Sequence, residues 1–170
     1  MSNFGPSLFG PAVFGGEPVP HLFLQIDAEM TTLARRYTAR GHTDGTSLHI
    51  DDFTVGRGGF DPLDYLAAIP VNPDAYNVVG ADVLLSGPVQ RIEWANDRSI
   101  SCYCLLKAAD IPAGGYLGEI GIFASIQNSP GGLEDGVQIL FAVGNFPLLM
   151  KSALAAGSSS RVALRVVVTT

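Results

Sequence analysis

The chain has 170 residues, enough for one domain with its own core and without metal or disulfide staples. It is 47% hydrophobic and only 15% charged, against roughly 25% charged in an ordinary soluble domain, so some apolar surface is expected to meet a partner rather than water. With a net charge of −6 and no basic cluster beyond Arg35-Arg36, phosphate-driven nucleic-acid binding is disfavoured, and no apolar run approaches the ~20 residues that cross a bilayer.

The first stretch repeats a phenylalanine and a glycine every five residues: Phe4-Gly5-Pro6, Phe9-Gly10-Pro11, Phe14-Gly15-Gly16. Proline and glycine at this density exclude a regular helix or a central strand. Disorder alone would predict few aromatics. Residues 1–20 are therefore read as an extended arm whose rings Phe4, Phe9 and Phe14 dock on another chain, because aromatic anchors dominate such contacts. A frayed terminus and an arm folded back on its own domain stay open beside it. The N-terminus lacks the basic start and compact apolar core of a secretion signal, so synthesis and assembly in a cytoplasm are expected.

Residues 21–170 read as a single β-rich domain. After Pro18-Val19-Pro20, the residues Phe23, Ile26, Met30, Leu33 and Tyr37 fall at spacings of three and four, which predicts a helix over about 21–40 with Gly41 as its stop. Strands follow. Leu48 and Ile50 alternate with polar residues, and Phe53 and Val55 resume one residue out of phase after Asp51-Asp52, which predicts a bulge or bend. Gly56-Arg57-Gly58-Gly59 closes that strand. Residues 60–87 hold three prolines and little periodicity, as in a long irregular connection with a short helical turn near Leu63–Ala68. Connections of that length are usually functional or interfacial.

Further strands are expected at 88–94 (Val89, Ile92, Trp94) and at 99–107 (Ile100, Cys102, Cys104, Leu106), joined by a turn at Ala95–Arg98. Others are expected at 117–126 (Ile120, Ile122, Ala124, Ile126), at 137–143 (Val137, Ile139, Phe141, Val143) and at 161–169 (Val162, Leu164, Val166, Val168). Ser129-Pro130-Gly131-Gly132 and Glu134-Asp135-Gly136 supply turn chemistry between two of these. The fold class is α+β: one N-terminal helix packed on an antiparallel sheet or sandwich of five to six strands, preceded by the arm.

Little in the chain points to catalysis. His21, His42 and His49 form no ligand-spaced pair, and no metal or cofactor is implied. Gly56-Arg57-Gly58-Gly59 lacks the lysine and hydroxyl residue of a phosphate loop. No Gly-x-Ser-x-Gly elbow is present. Asp51-Asp52 and Glu134-Asp135 read as turn or strand-edge residues, since neighbours in a strand point to opposite faces. Cys102 and Cys104 would be small core residues. Glu119, flanked by apolar residues, calls for a partner such as Arg91 or Arg165, or else lies on a solvated face. The chain is read as a non-enzyme.

The run Gly118-Glu119-Ile120-Gly121-Ile122-Phe123, followed through a turn by Ala142-Val143-Gly144-Asn145, resembles the phage tail-collar or tail-fibre N-terminal family. Pro147 and Lys151 fit that family's following proline and lysine, and the strand Leu48–Val55 with Gly56-Arg57-Gly58 fits its upstream "G-x-G" element. Arg57 departs from the acidic residue usual there, and the Phe-Gly arm lies outside the resemblance, which spans most of residues 22–169. The resemblance implies a structural virion protein that attaches a tail fibre to the baseplate. The partners it implies are other tail or baseplate proteins and a separate fibre chain, and copies of this chain as a trimer. The family's fibre shaft would follow after Thr170, so an attachment or adaptor module is expected. A second expectation is a carbohydrate-binding β-domain for host-surface recognition, using exposed aromatics such as Tyr65, Tyr76 and Trp94.

Overall fold

The computed structural model describes residues 13–14, 17–18, 23–56, 60–61, 64–68, 83–96, 98–107, 115–151 and 161–169. Two short strands, β1 (Val13–Phe14) and β2 (Glu17–Pro18), pair antiparallel. The first long element is a strand, β3 (Phe23–Met30), and not the start of a helix as the three-and-four spacing suggested. Ile26, Ala28 and Met30 are buried while Gln25, Asp27 and Glu29 are exposed. That two-residue alternation is the strand period. The apolar residues at 26 and 30 satisfy both periods, and the exposed polar residues at 25, 27 and 29 decide for the strand.

The helix starts nine residues later than Phe23, as α1 (Thr32–Asp44). Thr31 is its N-cap: its Oγ1 accepts from the Ala34 N–H at 3.1 Å and donates to the Leu140 carbonyl at 2.7 Å. The Thr31 N–H donates to the Phe141 carbonyl at 3.0 Å. One buried threonine thus ends the strand, satisfies an orphan donor of the helix and ties both to a neighbouring strand. Gly45 closes the helix in the left-handed conformation, φ 81°.

The remaining strands are β4 (Ser47–Gly56), β5 (Phe60–Asp61), β6 (Asp64–Ala68), β7 (Val83–Pro88), β8 (Arg91–Asn96), β9 (Ser99–Lys107), β10 (Gly115–Gln127), β11 (Gln138–Lys151) and β12 (Arg161–Thr169). The phase slip in β4 is a bulge: Phe123 pairs with Asp52 but Ala124 pairs with Ile50, leaving Asp51 as the extra residue. Residues 64–68 are strand, not a helical turn, and pair with β5. Their hairpin packs on β11.

Eight strands form one sheet in the order β7-β4-β10-β11-β3-β12-β9-β8. This exceeds the five to six expected, because residues 23–30 and 83–88 also join it. The sheet is mixed rather than antiparallel, since β12 runs parallel to β3 from Ala163↔Phe23 to Thr169↔Glu29. Only Val89 and Gln90 separate β7 at one end of this order from β8 at the other. The Val89 N–H donates to the Asp51 carbonyl of β4 at 2.8 Å, and the Gln90 N–H donates to the Tyr103 carbonyl of β9 at 2.9 Å. The two ends of the sheet are therefore one bent strand, held to β4 by its first half and to β9 by its second.

That bend curls the sheet around a single core. Phe53, Ile122, Ile26, Val166, Cys104 and Leu106, from five different strands, belong to one buried cluster. A lone helix could not cover eight strands; the sheet covers itself, in the manner of a partly open barrel. Cys102 and Cys104 are free and buried in this cluster. Burial pushes the Cys102 thiol up to about 12, and burial, with Cys102 beside it, pushes Cys104 well up too. They behave as small apolar side chains.

Candidate interaction surface

The three sequence motifs that carry the family resemblance meet in one row. Glu119 of β10 pairs with Gly56 of β4 on one side and with Asn145 of β11 on the other. These residues lie on the face opposite the core, as Ile120 and Ile122 point inward with no exposure. The Glu119 side chain lies over Gly56: a Cβ added at Gly56 would fall 2.3 Å from Glu119 Oε1 and 3.1 Å from its Cγ and Cδ. Glycine at 56 is thus a close-approach residue. In the next row, Gly121 pairs with Thr54 and with Val143, and Val143 has no exposure.

The partners suggested for Glu119 are engaged elsewhere. Arg91 binds Glu93 on β8. Arg165 sits on β12, with β11 and β3 between it and β10, and donates to Ser101 Oγ at 3.2 Å. Phe123 is half-buried and pairs with Asp52. Glu119, Ile120, Gly121, Ile122 and Phe123 therefore form a central strand that holds three segments in register.

The acidic pairs do structural work. Asp51 accepts from Ser125 Oγ and lies 3.5 Å from His49 Nε2, while Asp52 accepts from Gln138 Nε2 at 3.0 Å. Glu134 docks the helix, accepting from the Tyr37 hydroxyl at 2.8 Å and from Arg40 at 2.7 Å. The Tyr37 hydroxyl, then Arg40, hold its carboxyl below the usual range. Asp135 Oδ1 accepts from the Ser129 N–H and hydroxyl, both at 2.7 Å, which lower it in that order. The predicted turn chemistry is realised here, with Gly131, Gly132 and Gly136 at φ 69°, 68° and 82°.

The surface best suited to a partner is β8. Its outer face carries Arg91 and Glu93. Arg91 stacks on the Tyr103 ring, 5.6 Å from its centroid, and Glu93 accepts from the Tyr103 hydroxyl at 2.9 Å. Its inner face carries Ile92 and Trp94, which pair with the buried Cys102 and Ile100 of β9. These two residues continue the core face to the edge of the sheet, yet Ile92 is 42% and Trp94 72% exposed. No strand among the described residues pairs with the far side of β8. An apolar, unpaired edge is what monomeric β-proteins usually avoid. The sequence places Ile92 and Trp94 in one expected strand and offers Arg91 as a partner for Glu119, but it singles out only Trp94 as a contact residue; the alternation Arg91-Ile92-Glu93-Trp94 is the signal for the edge.

Other expected contact residues are scattered or lie outside the described residues. Phe14 is in β1 and Tyr65 in β6. Phe4, Phe9, His21 and Tyr76 fall outside the described residues, as do Arg57 and Gly58. His42 and His49 are exposed. Among the described residues no group of three or more His, Cys, Asp or Glu could hold a metal ion, and no helix is long and apolar enough to cross a membrane. No family model matches this chain, and neither a curated protein nor a solved structure matches it.

Proposed function

We propose that this protein is a structural component of a phage tail or baseplate, attaching or adapting a separate fibre chain through protein–protein contacts in the virion. The observation that carries the assembly role is the β8 edge, where the face that forms the core elsewhere reaches the surface with Trp94 and Ile92 uncovered. The virion assignment comes from the motif resemblance, a fold-level analogy, and is supported by the convergence of Gly56, Glu119 and Asn145 in one row. By the same analogy the chain forms a trimer. Phe4, Phe9 and Phe14 dock on neighbouring chains.

Immunogold labelling of purified particles with antibodies to this chain tests the assignment. Label at the tail or baseplate is expected; particles without the protein would overturn it. Deleting residues 1–16 should abolish incorporation while the circular dichroism spectrum keeps its β signature, and normal incorporation would refute the docking role of the arm. The exposure of Trp94 favours a second reading, a carbohydrate-binding β-domain in which that ring stacks on a sugar. A glycan array without hits would remove it.

A further inference from the structure

We propose that the opening beside β8 receives the Phe9 segment of a neighbouring copy's arm, added to the sheet as a short edge strand. This deepens the reading above and rests on its docking arm and its trimer.

The opening begins where the bent strand leaves β4. β4 pairs with β7 from Asp52 to Gly56, and the Val89 N–H donates to the Asp51 carbonyl just beyond. Past that point residues 47–50 of β4 and residues 92–96 of β8 share no pairing, and no other described strand lies between them. Both flanks of this notch are apolar. Ile92 and Trp94 stand exposed on one side. On the other, Leu48 and Ile50 are partly buried against the core and pair with the inward Ile126 and Ala124.

Such a notch takes a segment that is short, extended and uncharged. It must be short because the bend at Val89 blocks one end and β8 stops at Asn96. It need bring no charge, because Arg91 and Glu93 on the outer face bind each other and Tyr103. Residues 1–16 carry no charged side chain. Among them, Pro6 and Pro11 enclose Ser7-Leu8-Phe9-Gly10, and proline, with no N–H, confines pairing to those four residues. The Phe14 unit is engaged, since Val13 and Phe14 pair with Pro18 and Glu17.

Directly opposite residues share a face, so Phe9 reaches the inner face only opposite an inward residue of β8. With all four residues held within 92–96, that residue is Trp94, whichever way the segment runs. The other registers within the span set Phe9 opposite Glu93 on the outer face, or at Ala95, where the β8–β9 register shifts. Phe9 then packs on Trp94 directly and on the diagonal Ile92. The flanking prolines blunt the new edge, so no further strand adds to it. Each copy gives one arm and receives one, a head-to-tail contact that closes as a ring.

The test is disulfide trapping in the full chain, where the native Cys102 and Cys104 are buried. In the proposed register Ser7 falls opposite Ile92 in the parallel sense and opposite Asn96 in the antiparallel sense, so Phe9 and Trp94 can be left intact. Ser7→Cys chains mixed with Ile92→Cys or with Asn96→Cys chains should give, for one of the two mixtures, a cross-linked species of twice 17.9 kDa that neither chain forms alone. Phe9→Ala should weaken association about tenfold or more by light scattering. It should also open Trp94, the sole tryptophan, to acrylamide quenching while the circular dichroism spectrum stays unchanged. A cross-link confined to single chains that carry both cysteines would put the arm on its own edge and overturn the proposal. A three-fold mass with no cross-link and no response to Phe9→Ala would overturn it too, and would leave the trimer reading standing. A mass of 17.9 kDa at every concentration would overturn both.

Discussion

The bent strand formed by β7 and β8 has two halves that treat their free edges in opposite ways. In β7, Leu85 packs against the core, and Gly87 pairs with Phe53, whose Cε1 would lie 3.4 Å from a Cβ at that glycine. That half ends at Pro88, which has no N–H to offer a further strand. In β8 the inward residues Ile92 and Trp94 are exposed, and no strand among the described residues pairs with the edge. One half of a single strand closes the fold while the other keeps core-like surface exposed. Position along the bend, rather than composition, separates the half that packs on the core from the half that stays exposed.

That contrast can be broken most strongly from the β7 side. Phe53 is 2% exposed beneath Gly87, so Phe53→Ala should destabilise by ~3–5 kcal/mol through the cavity it leaves. The melting temperature should fall by roughly 10 °C or more, as differential scanning calorimetry would record. A smaller effect should come from acid. Glu134, Asp135 and Asp44 (the last lowered first by the Thr46 hydroxyl) have carboxyls held below their usual range. Their folded pKa values lie below the unfolded ones. The stabilisation is therefore complete above the ordinary carboxylate range and is lost as pH falls through the lowered values. The melting temperature should decline below about pH 4, and Glu134→Gln should flatten that decline. If it does not, the helix is docked by packing alone. The smallest change in stability is expected on β8: Trp94→Ser should stay within about 0.5 kcal/mol of wild type by chemical denaturation while weakening self-association. A large loss of stability would show that Trp94 belongs to the fold instead.

Much of this architecture follows from local pattern. Strict alternation marks β9, β10 and β12, the phase slip at Asp51-Asp52 marks the bulge, and the glycines at 131, 132 and 136 mark the turn before β11. Such features depend on neighbouring residues in the chain, which a sequence displays directly. Strand β3 was illegible by apolar spacing alone, because Ile26 and Met30 fit a helix as well as a strand, and Phe23 fits the helix. The choice was settled by pairing with β12, some 140 residues away. Trp94 could be named as a candidate exposed aromatic, but not as the uncovered end of the core face. Its exposure depends on where the sheet curls, and that is decided by the bend at Val89–Gln90 and its bonds to Asp51 and Tyr103. Likewise the residues Gly56, Glu119 and Asn145 are separate motifs in the sequence, and only strand order makes them neighbours. Local periodicity thus determined most of the segments that become strands, while long-range hydrogen bonding and burial decided the state of β3, the order and closure of the sheet and the face left exposed.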